Sequence, residues 1–399
     1  MMNKTFMKAI AVLVLVIGMN CLVQAQNKSE SIETTSEDTL FFILENDKIG
    51  FIDVKGNVVI NPQFENFNLL CNYEEYLTRE VFFEGLACVK DTIGKWGYID
   101  KTGQYVIRPQ FDDAYAFNEG LAHVVVDRKH GFIDKKGTFV IKPQFENVEF
   151  FFSDGLAPVF VDGKWGYINA VGGIVISPQF SEAWPFTYGL AMVELNHKWG
   201  IIKTTGEFVL TPQFESFYDI DLYCSDLSEG LFSVKTNGQW GFMDLDGKWV
   251  ITPQFESVME SGFHEGLASV KTNDKYGFIN KKGDIIINPQ FDYAYGFSEG
   301  LAVVEINGKY GFIDKKGDIV INPQFEIAWG FSEGLSLVLI EGLWGFIDKK
   351  GDIVISQRFD DDVYPFVAFI NGLFDCSISG KAAMIDKTGK IVWIENGEP

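Results

Sequence analysis

Short apolar runs separated by turn residues recur along this chain and predict a protein built of β-strands. In one stretch LAVVEI leads through Asn307-Gly308 to YGFID, which a second turn ending at Gly317 joins to DIVI. Asn-Gly suits a two-residue hairpin because both residues tolerate positive φ, and glycine suits the left-handed end of the second turn. The pattern therefore predicts strands at 301–306, 310–314 and 318–321.

The ends of this unit are also predicted. Pro323 lacks a backbone donor, so we expect it to end the third strand. Residues 325–335, FEIAWGFSEGL, carry the chain to the next unit and include one more short strand.

The unit is repeated in tandem, and the glycine after its aromatic residue measures the period. Gly277, Gly311 and Gly345 are 34 residues apart. The extra residues of two longer gaps fall at 65–83 and 215–228. Repetition outweighs the length of 399 residues as a guide to domain count. We predict an all-β fold over residues 39–399: a tandem array of about ten ~34-residue repeats, each a small antiparallel sheet.

Apolar residues on both faces of each predicted sheet indicate that the repeats cover one another. Tyr310, Phe312 and Ile313, with the apolar residues 319–321, would leave no face for water. A lone hairpin is marginal, so neighbouring sheets are expected to stack. Gly311 is expected to let a neighbouring aromatic ring lie flat across the strand.

Three segments carry a resemblance to a known family. KWGYID at 95–100, KWGIIK at 198–203 and QWGFMD at 239–244, each followed by a glycine, an apolar pair and PQF, resemble the WG-repeat family. Other residues replace the tryptophan at Ile49, His130, Tyr276 and Tyr310. The resemblance implies a β-repeat fold and no assigned catalytic role.

The arrangement of the repeats has two alternatives. The strand order fits a propeller blade, although ten repeats exceed the usual roughly 4 to 8 blades. An open superhelical (solenoid) stack is the other alternative. The last repeat has Ala383 in place of the glycine and no PQF, as expected of a terminal cap.

The N-terminus indicates export. Residues 1–25 have two lysines, an apolar core and a small-residue end, which predict a signal peptide, and the polar residues 26–38 predict a flexible linker. The protein would be periplasmic, outer-surface or secreted. Lipoprotein anchoring at Cys21 is disfavoured because Asn20 stands where a small residue is expected. No segment predicts a transmembrane span.

The net charge restricts the classes of binding partner, and the cysteine content restricts the possible disulfide bonds. The formal net charge is −22, and loss of Lys4 and Lys8 with the signal peptide makes it −24, which disfavours nucleic acid and anionic membrane surfaces. The cysteines that remain allow three disulfide pairings, or buried thiols: Cys71, Cys88, Cys224 and Cys376.

Candidate catalytic and metal motifs are better explained as turns. Residues 296–300 and 330–334 both spell G-x-S-x-G, but a nucleophile elbow needs a helix after it, and β-type sequence follows here. Asp244-Leu245-Asp246-Gly247 lacks the remaining ligands of a calcium loop. The four histidines lack metal-ligand spacing. We therefore expect no catalytic residue, no metal site and no cofactor.

Function is expected where the repeats differ. One aromatic position between PQF and EGL is a candidate ligand-binding surface: Tyr115, Trp184, Tyr295 and Trp329. The insertions at 66–81 and 216–226 are further candidates. We expect an exported, monomeric, non-catalytic scaffold that binds protein or glycan at the cell envelope. The alternatives are a hydrolase-type enzyme with its site in the insertions and a purely structural surface protein.

Overall fold

The computed structural model is all-β, with ten small antiparallel sheets and one 3-10 turn at Leu227–Glu229 in the described part. It describes residues 39–67, 81–148, 151–216, 220–221, 227–359 and 368–395. The predicted signal peptide and linker, Cys21, Cys71, Cys224 and most of the two insertions lie outside these residues. No helix in the described part is long and apolar enough to cross a membrane.

Repeats 1 to 5 form one compact unit within residues 34–217. Repeat 1 consists of β1 (Phe41–Glu45), β2 (Lys48–Ile52) and β3 (Val58–Phe64), and repeat 2 of β4 (Asn66–Phe67), β5 (Ala87–Lys90), β6 (Trp96–Ile99) and β7 (Tyr105–Phe111). Repeat 3 consists of β8 (Asp113–Asn118), β9 (Leu121–Val126), β10 (Lys129–Ile133) and β11 (Phe139–Phe145). Repeat 4 consists of β12 (Leu156–Val161), β13 (Lys164–Asn169) and β14 (Ile174–Phe180), and repeat 5 of β15 (Glu182–Ala183), β16 (Leu190–Leu195), β17 (Lys198–Lys203) and β18 (Phe208–Phe214).

Repeats 6 to 10 form a second compact unit within residues 218–399. Repeat 6 consists of β19 (Ile220–Asp221), β20 (Leu231–Thr236), β21 (Gln239–Asp244) and β22 (Trp249–Phe255), and repeat 7 of β23 (Ser257–His264), β24 (Leu267–Thr272), β25 (Lys275–Asn280) and β26 (Ile285–Phe291). Repeat 8 consists of β27 (Tyr293–Ser298), β28 (Leu301–Ile306), β29 (Lys309–Asp314) and β30 (Ile319–Phe325). Repeat 9 consists of β31 (Ile327–Ala328), β32 (Ser336–Ile340), β33 (Leu343–Ile347) and β34 (Ile353–Phe359), and repeat 10 of β35 (Leu373–Ile378), β36 (Lys381–Asp386) and β37 (Ile391–Ile394).

Repeat 8 shows how the turn residues fold the predicted hairpins. Its strands lie in the order β27, β28, β29, β30. Asn307 and Gly308 have φ of 53° and 75°, as a two-residue hairpin requires. In the next turn Gly317 has φ of 88°, and the Asp314 carboxylate accepts the backbone N–H groups of Lys316 and Asp318 at 2.9 and 3.0 Å. The predicted strands at 301–306 and 310–314 and both predicted turns are confirmed here.

The prediction that Pro323 ends the third strand is wrong. β30 runs on to Phe325, and its register against β29 shifts between the pairs Tyr310 with Phe325 and Phe312 with Ile321. Three residues of β30 thus stand opposite Gly311 alone. Pro323 lies inside this bulge on an edge strand, where its missing donor breaks no ladder bond.

The role predicted for Gly311 is also wrong. A Cβ at Gly311 would lie 2.6 Å from both the Ile321 carbonyl oxygen and the Pro323 nitrogen. The bulged backbone of the same repeat, and not a neighbouring ring, occupies that space. Glycine is required because any side chain would overlap the strand beside it.

Neighbouring sheets bury their apolar faces against each other, as predicted. Between repeats 7 and 8 the core combines Tyr276, Phe278 and Phe291 from one sheet with Phe297 and Val304 from the next. The Phe278 and Phe297 rings lie 4.9 Å apart between centroids. Within each unit, the cores of the described residues combine side chains from two neighbouring repeats in the same way.

The last strand of most repeats (β30 in repeat 8), predicted above as the third strand, departs from the expectation that both faces are covered. Ile321 is buried, but Ile319 and Val320 are 50% and 44% exposed. The same two positions are exposed at Val58 and Val59, at Tyr105 and Val106, and at Ile285 and Ile286. Being an edge strand, the third strand is covered by the next repeat only toward its bulged end.

A recurrent polar contact joins neighbouring repeats at the turn after the first strand. The Glu299 carboxylate accepts the Gly334 N–H at 3.1 and 3.3 Å, and Lys349 lies 3.1 Å from it and also donates to the Glu299 carbonyl at 3.0 Å. Glu265, Gly300 and Lys315 repeat this arrangement one unit earlier. We call it the Glu-Gly-Lys clasp, and it uses the residues that recur in the E-G and D-K-K-G motifs.

Candidate functional site: the aromatic rim

In several four-stranded sheets, three residues lie side by side on three adjacent strands next to the Asn-Gly type of turn. In repeat 8, Tyr293 pairs with Glu305, and Glu305 pairs with Tyr310, so their side chains share one face. Tyr310 occupies the position of the tryptophan in other repeats. We call such a row, with the aromatic residue predicted as a ligand-binding position, the aromatic rim of a repeat.

Each predicted ligand-binding residue lies close to the residue at the tryptophan position of its own repeat, either directly or through one intervening side chain. The rings of Trp184 and Trp199 are edge to face at 6.4 Å, and those of Tyr295 and Tyr310 are 6.4 Å apart. Trp329 and Trp344 pack half-buried against one apolar cluster. The position is therefore half packed and half open.

Tyr115 is the exception in its partner. Its ring stacks at 4.5 Å on His123, which in turn hydrogen-bonds His130 with Nε2 and Nδ1 2.8 Å apart. His130 holds the tryptophan position. Burial, then the neighbouring His130, lowers the pKa of His123 well below its usual range, and burial lowers the pKa of His130. This rim holds two neutral imidazoles at neutral pH.

Polar groups from the core fix the backbone under these rings. The Tyr98 and Tyr167 hydroxyls donate to the carbonyls of Tyr115 and Trp184, both at 2.7 Å. The Ser336 hydroxyl donates to the Trp329 carbonyl, also at 2.7 Å. The rim rings are thus held on a rigid support, as a binding surface requires.

The second-strand residue of the rim changes charge between repeats. Lys271 places its ammonium 6.0 Å from the Tyr276 ring centroid, Lys90 lies 5.4 Å from Trp96, and Lys235 lies 5.9 Å from Trp240. Repeat 8 has Glu305 at the same position. The rim therefore offers different chemistry along the array while its backbone stays the same.

Four tyrosines of repeats 7 and 8 lie on the rim in two ring pairs. Tyr276 and Tyr293 are stacked at 5.5 Å, and Tyr310 lies between Tyr295 and Glu305. Burial, then the charge of Glu305 and a hydrogen bond to it, raises the pKa of Tyr310 to about 12, against a smaller lowering by a hydrogen bond from Tyr295. Burial and the neighbouring carboxylate thus both favour the neutral form of the Tyr310 hydroxyl.

A family model now identifies the array. The model described as "WG containing repeat" matches residues 49–68, 96–129, 131–165, 165–199, 199–240, 240–276, 276–310, 310–344 and 344–374. The chain belongs to the WG-repeat family. These segments begin at the tryptophan position or the glycine after it, so the family's unit runs from one rim to the next.

Solved structures share only a distant likeness with this WG-repeat protein. A crystal structure of the eukaryotic initiation factor has 10% identity and a TM-score of 0.47, and the match covers 80% of this chain and 96% of that one. BamB from Moraxella catarrhalis has 12% identity and a TM-score of 0.31, covering 62% and 80%. The heme d1 enzyme NirN has 10% identity and a TM-score of 0.35, covering 82% and 75%. No curated protein matches the sequence.

The G-x-S-x-G motifs of the WG array serve contacts between repeats. The Ser298 hydroxyl donates to the Phe331 carbonyl at 2.7 Å, and Ser332 donates to Phe369 at 3.3 Å. Glu299 and Glu333 sit in left-handed turn positions, with φ of 52° and 51°, and not at the start of a helix. The motif is a turn that places a serine and a clasp glutamate.

The remaining candidate ligands are also accounted for in the described residues. The Asp244 carboxylate accepts the N–H groups of Asp246 and Lys248, as a turn does. No cluster of three His, Cys, Asp or Glu side chains in the described part could hold a metal ion. Cys88 and Cys376 are buried thiols that contact the carbonyls of Ala114 and Ala383.

Sequence reasoning overlooked Tyr293 and Glu305. The sequence did contain a signal for Glu305. When the repeats are aligned on the turn after the second strand, Glu305 falls at the same position as Lys271 and Lys235. A charge reversal at a position next to an aromatic residue marks a local difference that packing does not require.

Proposed function

We propose that this WG-repeat protein is an exported, non-catalytic scaffold that binds a protein or glycan partner at the cell envelope through its aromatic rims. One observation carries the proposal: the recurrent residues are occupied in contacts between repeats, while half-open rings on a fixed backbone lie beside residues that vary. Aromatic rings that are held rigid lose little entropy on binding and suit both apolar anchors and sugar faces.

Tandem repetition supports a scaffold role. Each rim is small, and several rims on one array would bind a repetitive partner with individually weak but additive contacts. Export to the envelope rests on the predicted signal peptide of residues 1–25, and the net charge of −24 that remains without it suits a soluble exported protein.

The non-catalytic assignment rests on the residues that could have been nucleophiles. The hydroxyls of Ser298 and Ser332 are engaged with carbonyl oxygens of the following repeat. A serine nucleophile needs a base to accept its proton, and these hydroxyls donate to backbone instead.

The test compares the full chain with a rim variant. Leucine at the four predicted positions keeps an apolar side chain but removes the flat rings: Tyr115→Leu, Trp184→Leu, Tyr295→Leu and Trp329→Leu. We expect this variant to lose the envelope proteins that the wild type retains in a pull-down, or the glycans that the wild type binds on a glycan array.

A control variant changes four exposed apolar residues of third strands, away from the rims: Val106→Thr, Val175→Thr, Val320→Thr and Val354→Thr. It should bind like the wild type. Binding lost in the control and kept in the rim variant would move the site to the third strands and reject the rim.

A further inference from the structure

In some repeats a lysine of the same repeat lies over the aromatic ring of the rim. In repeats 2, 6 and 7 the ammonium groups of Lys90, Lys235 and Lys271 lie within 6.0 Å of the ring centroid at the tryptophan position. A cation over an aromatic face is attracted by the ring's electron density. The rim geometry therefore accommodates a cation at this distance from the second strand.

Repeat 8 keeps the ring and reverses the charge. Glu305 takes the place that Lys271 holds one repeat earlier, directly across from Tyr310. Within the described residues no lysine or arginine lies over the Tyr310 ring. The rim of repeat 8 thus presents an aromatic face and a carboxylate without a cation of its own.

The tyrosines around Glu305 leave this rim open to solvent. Tyr293 is 45% exposed, and it faces Glu305 across the first pair of strands. Tyr310 and Glu305 are half-buried. Glu305 lies directly across from Tyr310, and the Tyr310 hydroxyl hydrogen-bonds its carboxylate. A carboxylate flanked by tyrosine rings is the arrangement that binds ammonium and guanidinium groups.

We propose that the rim of repeat 8 binds a lysine or arginine side chain of a protein partner, with Glu305 as the counter-charge and the rings of Tyr293 and Tyr310 as the aromatic walls. This inference rests on the proposed scaffold function and specifies the chemistry of one of its sites. The partner's cation would lie over the Tyr310 ring, as the Lys271 ammonium lies over the Tyr276 ring in repeat 7.

The experiment measures binding of fluorescein-labelled tetralysine to the full-length chain by anisotropy at low salt. Glu305→Lys supplies the cation from within, as in repeat 7, and should weaken binding at least about tenfold. Glu305→Gln removes only the charge and should weaken it about fivefold. Asp318→Lys makes the same charge change on an exposed residue at the other end of the repeat, and should change binding less than about twofold.

The outcomes separate a local site from general attraction to an acidic protein. Equal weakening by Glu305→Lys and Asp318→Lys, or wild-type binding that does not saturate, would overturn the site. The Gln variant keeps the test decisive if the Lys variant unfolds. Should the rim variant retain its envelope partners while tetralysine binding still depends on Glu305, the scaffold proposal fails and the cation site stands.

Discussion

At the scale of the residue, a missing methyl group explains the glycine that defines the repeat. Gly311 faces three bulged residues of β30, and the nearest backbone atoms leave no room for a Cβ. The recurrence of glycine at this position showed that the position is special. It did not show that the backbone of the PQF segment bulges over it. The predicted ring contact failed because bulges are set by tertiary pairing.

Replacing Gly311 by alanine should therefore destabilise the protein by overlap alone. We expect the free energy of unfolding to fall by about 1–3 kcal/mol, measured by urea denaturation. Gly330→Ala is the control, because a Cβ there would lie 3.6 Å from its nearest neighbour, the Ser298 Cβ. Equal loss in both variants would show that the bulge does not explain the glycine.

Also at this scale, the buried imidazole of His123 in repeat 3 predicts a pH dependence of stability. The folded-state pKa of His123 lies below the unfolded value of 6.5, so the unfolded chain binds more protons as pH falls below 6.5. Stability should fall by up to about 1.4 kcal/mol for each pH unit below 6.5 while His123 stays neutral. Above 6.5 this contribution is fully present.

The measurement is urea denaturation between pH 7.5 and 5.5, above the range in which most carboxylates titrate. His123→Met, which borrows the residue Met192 of repeat 5, should flatten the dependence. His197→Asn changes an exposed turn histidine and should leave the slope as in the wild type. A slope unaffected by His123→Met would rule out this histidine as its source.

At the scale of the element, the turns carry the connection between repeats. The hairpins were predicted because Asn307, Gly308 and Gly317 favour positive φ, which is a local property. The clasp of Glu299 to Gly334 was not predicted, because its partners are 35 residues apart and only stacking brings them together. The exposure of Ile319 and Val320 was not predicted either, because it depends on how far the next repeat covers this strand.

Removal of one clasp should loosen the junction of repeats 8 and 9. Glu299→Ala loses an acceptor for the Gly334 N–H and the ion pair with Lys349, and we expect a loss of about 1 kcal/mol, because the groups are partly exposed. Glu341→Ala is matched, with φ of 50° and no clasp, and should cost less. Thermal unfolding of both variants decides, and equal losses would reject the clasp.

At the scale of the whole molecule, the WG array depends on cores that neighbouring repeats share. The recurring sequence was sufficient to predict about ten antiparallel sheets, because the repeat period and the turn residues can both be recognised in short stretches of sequence. The candidate rim positions were also visible as aromatic residues outside the repeating motif. Their partners, such as Trp199 beside Trp184, came only with the folded sheet.

The most direct test of shared cores is the folding of an isolated pair of repeats. The fragment 257–325 contains repeats 7 and 8 and keeps their common core, but it exposes Phe312, Ile321 and Phe325, which pack against repeat 9. Each such side chain is worth about 1.5–3 kcal/mol when buried. Urea denaturation followed by circular dichroism should give a cooperative transition for the full chain and none for the fragment. A monomeric fragment that unfolds cooperatively would contradict the account.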